Sequence, residues 1–110
     1  MKKYFLYTKF TAKAVFAEEF VNNLIEASKL VSTAKGCRLY VIGKDNNDKN
    51  SVWVTEIWDS KDDHDNSLKG ERVRELISKT IPMVAEQPQK LKELEIVGGY
   101  LPTNEEAEEN

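Results

Sequence analysis

The chain of 110 residues is long enough for one domain with a single hydrophobic core. Its 40% hydrophobic and 32% charged residues are typical of a globular protein, and no run approaches the roughly 18 apolar residues of a membrane helix. The net charge of -3, with lysines and arginines dispersed among acids, argues against a nucleic-acid-binding surface.

The N-terminal part of the chain predicts a strand followed by a long amphipathic helix. Residues 3–10, KYFLYTKF, are rich in aromatic residues and predict the first strand. From residue 13 to about residue 34 the apolar residues recur at helical spacing. We expect Thr11 to cap this helix and Gly36 to terminate it.

The following part predicts a hairpin, a broken helix and a last strand. CRLYVIGKD (residues 37–45) and SVWVTEIWD (residues 51–59) are strand-like runs around the polar loop NNDKN. Ser60 is the predicted cap of a helix that extends to about residue 69, with Asp63 completing an acidic capping box. Gly70 should break that helix, and Pro82 should bend or end the segment that resumes after it. Residues 90–100, KLKELEIVGGY, predict the final strand.

The predicted order β-α-β-β-α-β is that of the ferredoxin-like fold, an α+β architecture with helices on one face of a four-stranded antiparallel sheet. Alternate strand residues on the other face are also apolar, as Phe5, Tyr7, Leu39 and Val41 show. A sheet that is apolar on both faces needs a second cover, and we predict that a two-fold homodimer supplies it. We place this domain at residues 1–101 and expect the acidic residues 102–110 to be disordered.

Two features of the sequence favour a cytoplasmic location. Lysines interrupt the apolar N-terminal segment and acids follow at once, so we predict no signal peptide. The single cysteine, Cys37, cannot form an internal disulfide, which fits a reducing compartment.

His64 is the only histidine, and it stands among four aspartates in EIWDSKDDHDNSL. Capping and the helix dipole explain the aspartates, and no recognisable spacing of ligands predicts a metal site. Because His64 lies four residues before Leu68, which we expect to anchor the helix to the sheet, it should point partly inward. A half-buried histidine is often structural, but imidazole titrates near neutral pH and can also serve as an acid, a base or a substrate anchor.

The strand before His64 adds two further candidates. Glu56 and Trp58 share one face of this strand, and Trp53 lies on the other. A carboxylate between a valine and a tryptophan must be paired, must have a raised pKa, or must reach a cavity as a base. We expect an ion pair from Arg38 on the neighbouring strand. Asn66 and Ser67 offer hydrogen bonds near His64, without a nucleophilic triad.

The sequence resembles the antibiotic biosynthesis monooxygenase domain, and within it the group named quinol monooxygenases. The likeness extends over residues 4–100. The pattern is a strand ending in Glu-x-Trp, a Ser-Lys-x-x-His-Asp helix start, a Leu-Ile pair in the second helix and a late Val-Gly-Gly. Here these residues are Glu56, Trp58, Ser60, Lys61, His64, Asp65, Leu76, Ile77, Val97, Gly98 and Gly99.

The resemblance implies a dimeric α/β barrel with a pocket between sheet and helices. It also implies that a small quinol-like or polyphenolic substrate is oxidised by dioxygen without a metal, a flavin or another cofactor. On this scheme His64 is the base or substrate anchor, with Trp58, Asn66 and Glu56 nearby. Tyr7, Arg38 and Tyr40 are expected to line the pocket.

Three other functions are alternatives to the cofactor-independent monooxygenase. The related haem-degrading branch uses an Asn, a Trp and a His whose positions here hold Thr8, Ser67 and Ile77, so we expect no haem. A non-catalytic ligand-binding or stress-associated dimer would make His64 structural. An oxygen-independent isomerase, or a degrader of a reactive carbonyl compound, would use the same pocket.

Overall fold

The computed structural model describes residues 3–101, so the predicted acidic tail lies outside the described residues. The strands are β1 (Lys3–Thr11), β2 (Cys37–Lys44), β3 (Ser51–Trp58) and β4 (Gln89–Ile96). The helices are α1 (Ala17–Val31), α2 (Lys61–Ser67) and α3 (Glu71–Thr80), with short 3₁₀ helices at Ala14–Phe16 and Ile81–Met83. Within residues 3–101, no helix is long and apolar enough to cross a membrane.

The four strands form one antiparallel sheet in the order β2-β3-β1-β4, which confirms the predicted ferredoxin-like topology. In the centre of the sheet Leu6 of β1 is opposite Glu56 of β3, and Glu56 is opposite Tyr40 of β2. Because side chains alternate along a strand, this register puts Leu6, Tyr40 and Glu56 on one face. That face is the one the helices cover.

Several predicted boundaries are confirmed and others are wrong. Ser60 caps α2 by accepting a hydrogen bond from the Asp63 amide, and Gly70 separates α2 from α3. Thr11 is not a helix cap, since it belongs to β1. The amides of the next two residues, Ala12 and Lys13, donate to the carbonyls of Asn50 and Met83. The chain therefore remains hydrogen-bonded to neighbouring segments until the 3₁₀ helix at Ala14–Phe16.

The prediction for Pro82 is confirmed, whereas the predicted end of the last strand is wrong. α3 ends at Thr80, and Pro82, which has no N–H to donate within a regular helix, lies in the 3₁₀ helix that follows. β4 begins at Gln89 and ends at Ile96, four residues before the predicted end. Gly36 does not terminate α1, which ends at Val31. It lies directly before β2, in the turn that leads into this strand, and its φ of +85° is one that glycine adopts readily.

The core lies between the helices and the inner face of the sheet. It has two clusters, one around Trp58 and one around Phe20, and both of these rings are almost completely buried. The first cluster unites the start of β1 with the end of β3. The second unites the end of β1 with the start of β3 and with α1. The two clusters leave a cavity between them that the helices only partly cover.

The outer face of the sheet carries aromatic and aliphatic side chains. The Tyr7 ring stacks on Trp53 at 5.2 Å between centroids, and the Lys9 ammonium lies 5.5 Å from the Trp53 ring centre. Val41 on this face is 49% exposed. Trp58 faces the helices and Trp53 faces away from them, which confirms the predicted division of the two tryptophans.

Candidate functional site

His64 reaches the sheet because α2 starts directly after β3. The Ser60 cap fixes the first turn of α2, and His64 follows one turn later. Its ring packs against Tyr4 and Trp58, each at 5.7 Å between ring centroids, and only 13% of its side chain is exposed. The inward orientation agrees with the sequence prediction. Leu68 does not anchor the helix as predicted, since it is 42% exposed.

The two ring nitrogens of His64 face different carboxylates. Nδ1 lies 2.9 Å from Oδ1 of Asp65, and Nε2 lies 3.7 Å from Oε1 of Glu56. Hydrogen bonds from His64 and Lys61 lower the pKa of Asp65, which therefore accepts as a carboxylate. A carboxylate can only accept, so Nδ1 carries the proton and donates it to this bond. Nε2 is then the nitrogen that can take a proton.

Glu56 is buried on the inner face of β3. Its Oε1 accepts a hydrogen bond from Nε1 of Trp58 at 2.9 Å. Burial raises the pKa of Glu56, while the Trp58 hydrogen bond and the nearby His64 act in the opposite direction. A buried carboxyl group with a raised pKa next to an imidazole is an arrangement found at proton-transfer sites.

The predicted ion pair between Glu56 and Arg38 is not formed. Arg38 instead makes a two-pronged contact with Asp59, in which Nε and Nη2 each lie 2.8 Å from a carboxylate oxygen. Lys3 joins the same carboxylate at 3.1 Å. These hydrogen bonds, with Arg38 the larger contributor, hold the pKa of Asp59 at about 2. Asp59, which directly follows β3, is therefore the partner of the Arg38 guanidinium group in the place predicted for Glu56.

A cavity of about 370 Å³ opens between the sheet and the three helices. Most of its lining is aliphatic or aromatic, from β1, α1 and α3 in particular. The polar or titratable lining residues are Thr8, Asn23, Tyr40, Glu56, His64, Ser67 and Thr80. A concave apolar site with a few converging polar groups is the usual form of a small-molecule pocket.

The cavity brings together three of the seven site residues predicted from sequence, namely Tyr40, Glu56 and His64. Trp58 lies behind Glu56 and supports it from the core. Asn66 is an exposed residue of α2 that does not line the cavity.

Tyr7 and Arg38 do not line the cavity either. Tyr7 is on the outer face of the sheet, because it is opposite Thr55 and out of phase with Leu6. Arg38 is held in its contact with Asp59. Tyr40, by contrast, points inward, and burial together with the charge of Glu56 raises the pKa of its phenol.

Sequence reasoning missed two groups of site residues. Asp65 was assigned to the helix dipole, whereas it contacts His64; the direct adjacency of the two residues was the available signal. The lining residues of α1 and α3 could not be found from local patterns, because their apolar periodicity is the same for core and cavity. Thr8, Ser67 and Ile77, the positions compared with the haem-degrading branch, all line the cavity.

No group of three or more His, Cys, Asp or Glu side chains that could hold a metal ion is present within residues 3–101. The His64 ring lies between Asp65 on its Nδ1 side and Glu56 on its Nε2 side.

The sequence profile of the antibiotic biosynthesis monooxygenase family matches residues 4–79. The chain belongs to this family. The match spans β1 to α3 and so includes the elements that hold His64, Glu56 and Asp65. No curated protein sequence gives a significant match.

Solved structures support the same assignment. A protein from Chloroflexus aurantiacus with the same family name is 30% identical, with 89% of this chain and 96% of the other covered and a TM-score of 0.76. One from Caulobacter crescentus with that name is 16% identical, covers 87% and 91%, and has a TM-score of 0.80. A protein of unknown function from Nitrosomonas europaea is 17% identical, covers 94% and 97%, and has a TM-score of 0.78. The last two likenesses concern the fold alone.

Proposed function

We propose that this family member is a cofactor-independent monooxygenase that oxidises a small quinol-like or polyphenolic aromatic with dioxygen. The observation that carries the proposal is that His64 and Glu56 lie close together in a cavity whose lining is mostly apolar. Family membership supports an oxygenation, and the shape of the cavity supports a small substrate.

The proposed reaction begins with removal of the phenolic proton by Nε2 of His64. The resulting phenolate is a stronger reductant than the phenol, and it passes one electron to dioxygen. The two radicals combine into a carbon-bound peroxide, and the proton held by His64 returns to it. Loss of water leaves one oxygen atom on the substrate as a carbonyl, so that a phenol and dioxygen give a quinone and water. The apolar walls keep bulk water away from the reacting atoms.

Each neighbour of His64 has a defined part in this scheme. Asp65 fixes the tautomer and stabilises the imidazolium once the proton is taken. The Glu56 carboxyl group lies 3.7 Å from Nε2, and in its ionised form it would stabilise the imidazolium. Trp58 keeps the Glu56 carboxyl in position. Tyr40 lines the cavity opposite Glu56 in the sheet and can hydrogen-bond to a second substrate hydroxyl.

We also propose that two chains pair through the outer face of the sheet. This face carries the Tyr7–Trp53 stack and the half-exposed Val41, and burial of such side chains stabilises an interface by about 25 cal/mol per Å². A two-fold pair would place each apolar face against an identical one. Val41→Glu should convert the dimer to a monomer in sedimentation equilibrium. Val15→Glu, at a residue 82% exposed in the 3₁₀ helix outside the sheet, should leave it intact. A monomeric wild-type chain would contradict this pairing.

Oxygen uptake by the metal-free protein with a panel of reduced quinols and hydroxylated aromatics tests the proposed activity. We expect saturable uptake above a protein-free blank, and a loss of at least a hundred-fold in His64→Ala, the usual size of a general-base contribution. Val15→Ala is the matched control and should retain full activity. Uptake at the blank rate with every compound would contradict the proposal.

The packing of His64 between Tyr4 and Trp58 favours one alternative, a non-catalytic ligand-binding protein. In that case His64→Ala would lower the free energy of unfolding without changing any turnover. Urea unfolding of the same variant, measured beside the oxygen assay, separates the two functions.

A further inference from the structure

The cavity has a polar end and an apolar end. Glu56 and Tyr40 face each other across β3 and β2, and α2 adds His64 and Ser67 at the same place. At the opposite end the lining is formed mainly by Phe10, Phe20, Ile81, Val84 and Pro88, none of which carries a polar side-chain atom. Four of the seven polar lining residues are therefore gathered at one end of the cavity. Thr8 lies between the two ends, and Asn23 and Thr80 lie nearer the apolar one, where Nδ2 of Asn23 contacts Sδ of Met83 at 3.6 Å.

The strand register fixes the direction of this gradient. Glu56 is opposite Leu6, whereas Val52 is opposite Phe10, so the gradient extends along β1 and β3 over four residues, or about 13 Å. The second 3₁₀ helix crosses the far end, because the Met83 carbonyl accepts from the Lys13 amide and Val84 pairs with Ala12. Ile81, in this 3₁₀ helix, is 65% exposed and lies at the rim.

The charge of the lining is equally one-sided. Among residues 3–101, no lysine or arginine lines the cavity, and its one acidic side chain is Glu56. An anionic group on a ligand would lose its hydration without gaining a cationic partner, and it would be repelled by Glu56. The cavity therefore selects ligands that are uncharged apart from a hydroxyl group that ionises in the site.

We propose that the natural ligand is an uncharged phenol or quinol with an extended apolar tail. Its hydroxyl group lies at Glu56 and His64, and its tail extends along β1 to Ile81. The placement of the hydroxyl rests on the proposed function, whereas the placement of the tail rests on the lining of the far end. A compact, highly hydroxylated aromatic would leave that end unfilled.

Calorimetric titration without oxygen, with para-alkylphenols from para-cresol to para-heptylphenol, tests the inference. Each added methylene that is buried in the far end should lower Kd about four-fold, and the gain should stop when the tail reaches solvent. A para-alkylphenol with a carboxylate on a tail short enough to end inside the cavity should bind at least ten-fold more weakly than its uncharged counterpart. Equal Kd values across the series, no binding by any member up to its solubility limit, or equal binding of the carboxylate would each overturn the inference.

A pair of surface variants locates the tail. Ile81→Asn should reduce the gain per methylene for the longest tails and leave para-cresol unaffected. Val15→Asn, exposed and outside the cavity, should change neither. An unchanged series in Ile81→Asn would overturn the assigned direction.

The binding series also separates this inference from the proposed function. A four-fold gain in affinity per methylene without any oxygen uptake would support the binding site for the tail and contradict the monooxygenase activity. Oxygen uptake with short phenols and no dependence of Kd on tail length would support the activity and contradict the tail site.

Discussion

The substitution Trp58→Phe isolates the hydrogen bond that supports the buried Glu56 carboxyl. Phenylalanine keeps an aromatic ring beside His64 but removes the indole N–H, which donates to Glu56 at 2.9 Å. Glu56 is buried except where it lines the cavity, so few other donors can replace the indole N–H. The substitution therefore lowers stability and raises the pKa of Glu56 further, because the lost bond favours the charged form.

The size of the effect follows from the charge of the acceptor. A hydrogen bond to a charged group contributes about 1.5–3 kcal/mol, and one between neutral groups about 0.5–1.5 kcal/mol. Trp58→Phe also removes ring volume, and that cost is the same whether the acceptor is charged or not. We therefore compare the loss in free energy of unfolding caused by Trp58→Phe in wild type with the loss caused by the same substitution in Glu56→Gln. The volume cost is common to both and cancels, and we expect the two losses to differ by about 1 kcal/mol.

The assay is urea unfolding of wild type, both single variants and the double variant at mildly alkaline pH, which favours the carboxylate. A coupling near zero would refute the reasoning, because it would mean that the Trp58 hydrogen bond is no stronger to the Glu56 carboxyl group than to a neutral amide. The equivalent cycle with His64→Ala in place of Trp58→Phe measures the contribution of the 3.7 Å contact between His64 and Glu56.

Three further predictions concern stability. Gly36→Ala should cost about 2 kcal/mol, because its φ is +85° and the new Cβ would clash with the Asp63 carboxylate. Gly43→Ala, where the nearest atom to the new Cβ lies at 3.9 Å, should cost nothing in the same urea assay. Glu56→Gln should be more stable than wild type at alkaline pH and equally stable below pH 4.5: burial raises the native pKa, so wild type loses stability as pH rises through it. Asp59→Asn should be less stable than wild type above pH 3.8, and the difference should disappear as pH falls to about 2.

Each of these has a result that would count against it. Equal losses in the two glycine variants would show that Asp63 moves freely. If the acid unfolding curves of wild type and Asp59→Asn coincide, the contact between Arg38 and Asp59 does not contribute to stability. For Glu56→Gln, a loss of stability at alkaline pH would mean that the carboxylate is stabilised by its surroundings.

The fold could be predicted from the sequence because its signals are local. Period-two alternation placed Glu56 and Trp58 on one face, Ser60 marked the start of α2, and Gly70 marked its separation from α3. Each of these depends on a few neighbouring residues and on backbone geometry alone. The inward orientation of His64 was predicted from Leu68 as the anchor of α2, but Leu68 is largely exposed and His64 is held by Tyr4 and Trp58 instead.

The site could be predicted only in part because it depends on register and competition. Tyr7 was placed in the pocket, but the pairing of Leu6 with Glu56 puts Tyr7 on the outer face, and a shift of one residue would have reversed this. Arg38 was expected to pair with Glu56, but it contacts Asp59, and no local pattern distinguishes these two carboxylates as partners. The walls from α1 and α3 depend on helix packing, which no local pattern encodes.

The proposed oxygenation can be followed by mass spectrometry of the product formed under ¹⁸O₂, with metal-free protein and a para-alkylphenol or quinol that binds. We expect one ¹⁸O atom in the product, formed at a saturable rate above the protein-free blank and lost in His64→Ala but not in Val15→Ala. Oxidation without incorporation of label, or incorporation at the same rate in His64→Ala, would contradict it.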